Sequence, residues 1–573
     1  MFLLLASMAV AVAMALLVGC ESDKQGGSQG GSSSSKTTAH AQTTEVTGQT
    51  QGGGSGRARS ELGPKVEKIM NRPKYQYGQW GYLEVDPSDG RTVRSLGPAD
   101  RFYIPGSSTK LFSVSPTLDY LGFDHHFKTP VYAQGEVNNG TLRGNLVLVA
   151  KGDLTMGGRT APNGTVSYTH IDHTYANVAP GATLTPENPL AGLNEIARQV
   201  RKSGIKHVNG NVIIDDRLFD LAPRTPFVDA LSFNAPNLDP WPYPITINDN
   251  LIDVQVEPGK VGEKPKVALW RPKVAPYHLE MRAKTVAAGK PTTLSVSPQT
   301  SGPVVVSGNI AADAGKQLRV AAINDPPAFA RTALIEALGS SGVSVGASHT
   351  GANPSSKLPK KGSYSSKDEV ASYVSPPYSQ YAKLILKVSH NYGANLDLCL
   401  MAVKAGSTDC NDAFPVMEKF YEKAGVDTDQ VAFADGRGGN PTDRFTPEAA
   451  TEVLRYWLKQ PQAKAFREML PEMGVNGSLA DNCKDCPAKG KVFAKVGTVS
   501  LPDYVDGSLL DNESIGGYME ASPGHFHVFY LVVNGARAKN VEGAIEILNE
   551  VNNLAAILQQ DASQQGGASQ GGQ

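Results

Sequence analysis

The sequence predicts a mixed α/β (α+β) fold: an antiparallel sheet flanked by helices, built from two separated stretches of chain and split by a β-rich insertion. Three observations carry this. Strand-like apolar runs lie towards both ends, at Trp80–Val85, Phe493–Val499 and Phe526–Val533. Helical periodicity accompanies them after Pro105, at Tyr381–Val403, at Glu448–Leu458 and at Val541–Leu558. From about His125 to Ser366 the texture turns to short β runs rich in Pro and Gly, and such a change of period marks a change of architecture. The expected domains are therefore residues 60–124 with 367–558, and an insertion over 125–366. A chain of 573 residues is also too long for one typical domain.

Met1 to Gly19 is almost wholly apolar and ends Leu17-Val18-Gly19-Cys20. An apolar run with small residues before a cleavage point reads as a secretory signal. The cysteine after the small residues resembles a bacterial lipobox. That resemblance implies a lipoprotein signal over 1–20, a lipidated Cys20, and a membrane-anchored lipoprotein of the cell envelope facing the periplasm. No Lys or Arg precedes the run, and an uncleaved membrane anchor is the alternative. Residues 21–59 are Gly, Ser, Gln and Thr with almost no large apolar side chains, so they cannot bury enough surface to fold. They predict a flexible tether reaching roughly 35 Å. The Gln/Gly/Ser-rich tail, 559–573, is expected to be disordered on the same grounds.

Within the folded part, Pro87-Ser88-Asp89-Gly90 is a turn signal between the Trp80–Val85 strand and a second near Val93. A helix with an apolar face starts just after Pro105. Asn139-Gly140 marks a tight hairpin, and Asn145–Ala150 and Val212–Ile214 read as buried strands. Leu190, Leu193, Ile196, Ala197 and Val200 share one helical face that Gly204 terminates.

Formal net charge is −1, with 40% hydrophobic and 19% charged residues, which lacks the basic excess of a nucleic-acid binder. Four cysteines follow Cys20. An even number in an exported chain predicts disulfides, and the local pairs Cys399–Cys410 and Cys483–Cys486 are favoured. A zinc site built on Cys483-x-x-Cys486 lacks the remaining ligands, and a redox role lacks its βαβ context.

Ser107-Ser108-Thr109-Lys110 is an S-x-x-K at a helix start. A spacing of three places both side chains on one face, a turn apart. A serine hydroxyl is a weak nucleophile until a neighbouring base takes its proton, and a desolvated lysine becomes such a base. By itself the motif is weak: Ser33/Lys36 and Ser203/Lys206 also match, and a serine here serves equally as a helix cap. The order of motifs adds weight. Ser389-His390-Asn391 is an S-x-N, and Lys495-Val496-Gly497-Thr498 lies in a predicted strand and is similar to K-T-G-T. Lys202-Ser203-Gly204 and Ser232-Phe233-Asn234 match letter for letter but are rejected. The first is a helix C-terminus, whereas the chemistry needs a strand that can hydrogen-bond substrate.

Ser107 and Ser389 are about 280 residues apart. With Gly144–Leu148, Gly152-Asp153, Ile247-Asn248-Asp249-Asn250, Asp435-Gly436-Arg437-Gly438 and Gly474–Leu479, this resembles the class C low-molecular-mass penicillin-binding proteins. These are D-Ala-D-Ala carboxypeptidase/endopeptidases of the S13 peptidase type, with a large insertion between the first two motifs. The resemblance implies a penicillin-binding transpeptidase-like domain acting on peptidoglycan peptides, inhibited by β-lactams, with no metal or organic cofactor. It implies Ser107 as nucleophile, Lys110 as its base, and Ser389 as proton relay positioned by Asn391 and Lys495. It also implies that Lys495, Gly497 and Thr498 form the substrate-binding strand, with the Ser107 and Thr498 N–H groups as oxyanion hole. Val496 and Arg437 depart from the pattern. Val496 removes a hydroxyl that can hold a terminal carboxylate, which leaves an endopeptidase open beside a carboxypeptidase. A β-lactamase or esterase on the same fold, and an inactive peptidoglycan-binding lipoprotein, are the competing readings.

Overall fold

The computed structural model describes residues 62–221, 242–298 and 302–570. The signal, Cys20, the tether and the Ser232 decoy lie outside the described residues. No helix among the described residues is long and apolar enough to cross a membrane.

The two outer parts of the chain meet in one antiparallel sheet. Its strands run Val492–Asp503, Gly507–Ser522, His525–Asn534, Gln79–Val85 and Thr92–Leu96, with Ala536–Ala538 paired to the second. Alternation along His525–Asn534 explains why it reads as an unbroken apolar run. Val528, Tyr530 and Val532 face a layer of helices, while Phe529, Leu531 and Val533 face the C-terminal helix. The helical layer holds Lys110–Leu121, Tyr378–Val388, Asn391–Lys404, Phe414–Ala424 and Pro447–Leu458. The opposite face is closed by Val541–Gln570 with the short helix Pro64–Met70.

The strand Gly507–Ser522 is not legible in the sequence. Asp511-Asn512-Glu513-Ser514 makes its middle polar, yet Asn512, Glu513 and Ser514 are all buried. The predicted Tyr381–Val403 helix is also two helices, divided where Ser389 takes a left-handed conformation (φ 62°, ψ 42°). The C-terminal helix continues past Leu558 to Gln570, which corrects the expectation of a structureless tail from residue 559. Gln559 and Ala562 are buried, and Gln559 Nε2 donates to Glu520 O at 2.8 Å, so this turn has packing of its own.

Between the outer parts, a hairpin of Lys128–Asn138 and Thr141–Val149 turns on Asn139 and Gly140, both left-handed as a tight hairpin turn requires. Its sheet adds His207–Val208, Val212–Asp215, Ser344–Val345 and Glu369–Val374. The last strand pairs with Lys128–Asn138, so this sheet extends beyond the expected boundary at residue 366. Helices Ala191–Lys202 and Pro326–Ser340 cover it. A smaller sheet of Lys266–Arg271, Leu251–Glu257 and Gln317–Ala322 leads into the same core. Disulfides join Cys399 to Cys410 and Cys483 to Cys486.

Candidate active site

Ser107 lies in a 3-10 turn, Gly106–Thr109, that runs into the Lys110–Leu121 helix. The turn is pressed against the Val492–Asp503 strand. A Cβ on Gly497 would sit 2.2 Å from Pro105 O, and one on Gly438 1.8 Å from Gly106 O, so both positions require glycine. Asn512 Nδ2 stitches the two elements, donating to Pro105 O at 3.0 Å and to Gly497 O at 2.7 Å.

Lys110 is fully buried. Its Nζ lies 2.8 Å from Ser107 Oγ, 2.8 Å from Asn391 Oδ1 and 2.9 Å from Arg437 O. Burial pushes its pKa well below the ordinary lysine value, and the positive charges of Lys495 and Arg437 push it further. The contacts fit a neutral amine. Asn391 Oδ1 and Arg437 O can only accept, which uses two N–H bonds. The nitrogen lone pair then faces the Ser107 O–H.

A second chain of contacts lies on the strand. Lys495 Nζ donates to Ser389 Oγ at 2.9 Å and to Val496 O at 2.5 Å. Burial lowers the Lys495 pKa to about 7, with Glu513 opposing. Thr498 Oγ1 is 2.7 Å from Glu513 Oε2. Burial raises the Glu513 pKa to about 8, against the Thr498 bond and the Lys495 charge. Its other oxygen, Oε1, is buried with no hydrogen-bond partner, which favours the neutral acid.

Ser389-His390-Asn391 is held from the inserted region. Tyr175 O–H donates to Ser389 O and lies 3.5 Å from Asn391 Oδ1. His390 Nδ1 caps its helix by accepting from Gly393 N at 3.0 Å, so Nε2–H donates to Asp249 Oδ1 at 3.0 Å. Asp249 Oδ2 also accepts from Arg159 Nη2 at 2.7 Å and His173 Nε2 at 2.7 Å. His173 Nδ1 bonds Asp253 Oδ1 at 2.6 Å. With both ring nitrogens donating to carboxylates, His173 is an imidazolium. Burial lowers its pKa, but Asp253 and Asp172 overcome this and raise it to about 10. Burial pushes Asp249 up, and Arg159, His173 and His390 drive it well below the carboxylate range. Arg159 also pairs with Asp172, and Arg271 with Asp253.

The structure therefore brings Ser107, Lys110 and Asn391 into one hydrogen-bonded web and Ser389 and Lys495 into another. Gly497 lies against the Ser107 turn and Thr498 beside Glu513. Val496 points the other way: it is 8% exposed and belongs to the apolar cluster under the C-terminal helix. Its missing hydroxyl therefore bears on packing, not on a substrate carboxylate. Arg437 enters through its backbone carbonyl. Tyr175, Asp249 and Glu513 are site-supporting residues that motif reading did not assign. Two signals were available: Asn248-Asp249-Asn250, three successive left-handed residues of types that tolerate that conformation, and a polar run inside a buried strand.

A buried serine–lysine pair of this kind, with a further serine on a further lysine beside an open strand edge, has the side chains that acyl transfer through a serine nucleophile needs. Comparison with known proteins agrees. The model of the D-Ala-D-Ala carboxypeptidase 3 (S13) family matches residues 63–555. A D-alanyl-D-alanine carboxypeptidase from an Actinomadura species is 26% identical over 476 residues, covering 79% of this chain and 80% of that protein. The penicillin-sensitive carboxypeptidase A of Dictyostelium discoideum is 22% identical over 503 residues, covering 82% and 86%. Crystalline penicillin-binding protein 4 of Haemophilus influenzae shares the fold, with TM-score 0.64 at 18% identity over 86% of this chain and 99% of that one. The chain belongs to the D-Ala-D-Ala carboxypeptidase 3 (S13) family. It is a serine-type D-Ala-D-Ala peptidase.

The Asp249 hub makes one prediction. Asp249→Asn keeps the shape but leaves Arg159 and His173 short of a carboxylate in a buried site. It should cost about 3–5 kcal/mol in urea denaturation, as breaking a buried ion pair does. It should also slow penicillin acylation, because His390 loses its charged partner. Unchanged stability and acylation together would remove the hub from the account.

Proposed function

We propose that Ser107 is the residue acylated by D-Ala-D-Ala stem peptides and by penicillin, with Lys110 as its base. The observation that carries this is the Lys110 amine, fully buried and 2.8 Å from Ser107 Oγ. Ser107 Oγ attacks the carbonyl carbon of the penultimate D-Ala as its proton passes to Lys110 Nζ. The backbone N–H groups of Ser107 and Thr498 receive the oxyanion. Collapse breaks the C–N bond, and the leaving amine takes a proton relayed by Ser389, which Lys495 Nζ and the Tyr175 O–H hold in place. Water then hydrolyses the ester and the proton returns. The same site releases a terminal D-Ala or, when the amine is that of a cross-link, opens the cross-link. Since Val496 is a packing residue, it supplies no preference between the two.

Glu513 sets what Thr498 offers to substrate, since Thr498 shares the face of Val496 but is exposed at the edge of the sheet. As a neutral acid it donates to Thr498 Oγ1, leaving the Thr498 O–H for a substrate carboxylate. As a carboxylate it accepts that O–H, and Thr498 presents only lone pairs. At the outer end of the chain, Leu17-Val18-Gly19-Cys20 supports lipidation of Cys20, and residues 21–59 supply the reach from membrane to peptidoglycan.

Three measurements test this reading. Fluorescent penicillin should label wild type and fail on Ser107→Ala, with the adduct mapping to Ser107 by peptide mass analysis. An adduct on another serine defeats the assignment. The second concerns pH. kcat/KM on a peptide with a free terminal D-Ala should fall as pH rises through about 8. The fall should be roughly ten- to hundredfold, since a hydrogen bond to a charged group is worth about 1.5–3 kcal/mol. Glu513→Gln, whose amide donates at every pH, should flatten that limb. An unaltered limb in the variant excludes Glu513 as its source. Third, Cys20→Ala should release the protein from the membrane fraction or block its processing. Normal mature mass in the membrane would point to another anchor.

A further inference from the structure

A second cluster of chemically active side chains lies on the sheet face under the C-terminal helix. Val85 pairs with Val528 in the antiparallel ladder, so Asp86 follows opposite His527. His525 and His527 are two apart on one strand and project from the same face, which Glu84 shares. Nε2 of His525 is 3.5 Å, and Nε2 of His527 4.0 Å, from Asp86 Oδ2. One ligand atom from each of the three residues lies within 4.8 Å of the others.

The cluster is oriented from behind. Asp86 Oδ1 accepts from Ser88 N at 3.0 Å and Ser88 Oγ at 2.6 Å, which turns Oδ2 towards the histidines. His527 Nδ1–H donates to Glu84 Oε1 at 2.6 Å. Glu84 is fully buried and is itself held by Arg94 Nε and the Tyr82 O–H, each at 2.6 Å. A carboxylate on one imidazole nitrogen fixes the tautomer and leaves the lone pair of the other outward, as metal-binding histidines require.

We propose that Asp86, His525 and His527 form a binding site for a zinc-class divalent ion, with solvent as the fourth ligand. Two imidazoles and one carboxylate suit Zn2+, whereas Ca2+ and Mg2+ select all-oxygen sites. His525, 41% exposed at its side chain, has room to rotate inward, and the exposed Arg91 guanidinium, 3.9 Å from Oδ2, is the group that the ion displaces. The site is remote from the chemistry. The other end of the Gln79–Val85 strand pairs with Asn534, which bonds Ile104 just ahead of Ser107. A strand of seven residues separates the two sites by roughly 20 Å. The ion therefore clips the Asp86–Arg91 turn to the His525–Asn534 strand and takes no part in acyl transfer.

Calorimetric titration of full-length, oxidised, metal-stripped protein with zinc chloride tests this, with calcium chloride in parallel and with His525→Ala and Asp86→Asn. His525 is partly exposed, and the amide oxygen introduced by Asp86→Asn still accepts the two Ser88 bonds, so both variants should fold. Wild type should bind one zinc ion saturably and no calcium, with its penicillin labelling unaltered by zinc. Cobalt should give the visible absorption of a four-coordinate site. Each variant should bind zinc at least about 100-fold more weakly, since even the supporting partners of ligands are worth 10–100-fold. Zinc binding that persists in both variants overturns the proposal. So does a wild type that labels normally with penicillin and binds no zinc.

Discussion

The amine of Lys110 is shut away from water, and that constraint organises the site. A buried ammonium is costly, so burial pushes the group towards its neutral form, and each of its hydrogen-bonding directions needs a partner. Ser107 supplies one from the preceding turn, Asn391 another from the start of a helix, and Arg437 a third through a backbone carbonyl. The most distant of these partners, Arg437, is 327 residues from Lys110 in sequence. The helical layer that buries Lys110 is thus the same layer that brings its partners together.

The inserted region has a part in this web. Asn391 is placed by the break between two helices, and the break leaves Ser389 left-handed and His390 buried. Tyr175 and Asp249, both from the insertion, satisfy the groups that the break exposes. Three carboxylates, Asp172, Asp249 and Asp253, meet three cationic side chains, Arg159, His173 and Arg271. Such a network adds little net stability over an apolar core, but it punishes any displacement, because each charge would lose its counter-charge in a medium that screens poorly. It therefore serves to fix geometry. On the other side, Glu513 and Asn512 do a related job for the Ser107 turn and the Thr498 strand edge.

Other properties sit apart from this web. Val496 faces the C-terminal helix because strand residues alternate, so it takes the opposite side of the sheet from Lys495 and Gly497. The same rule places Asp86, His525 and His527 together on that face, far from Ser107.

Much of this molecule is legible in its sequence where the determining interaction is local. Ser107 and Lys110 are one turn apart, Asn139-Gly140 turns a hairpin, and each cysteine pair is close in sequence. The resemblance to the peptidase family rests on such local motifs taken in order. Only the tertiary structure decided the relations between distant residues. These include the break at Ser389, the strand Gly507–Ser522 with its buried polar centre, the added helical turns beyond Leu558, and the roles of Tyr175, Asp249 and Glu513. The physical reason is common to all of them. A buried polar group is tolerable only with its partner, and here the partners come from stretches of chain that no local pattern connects.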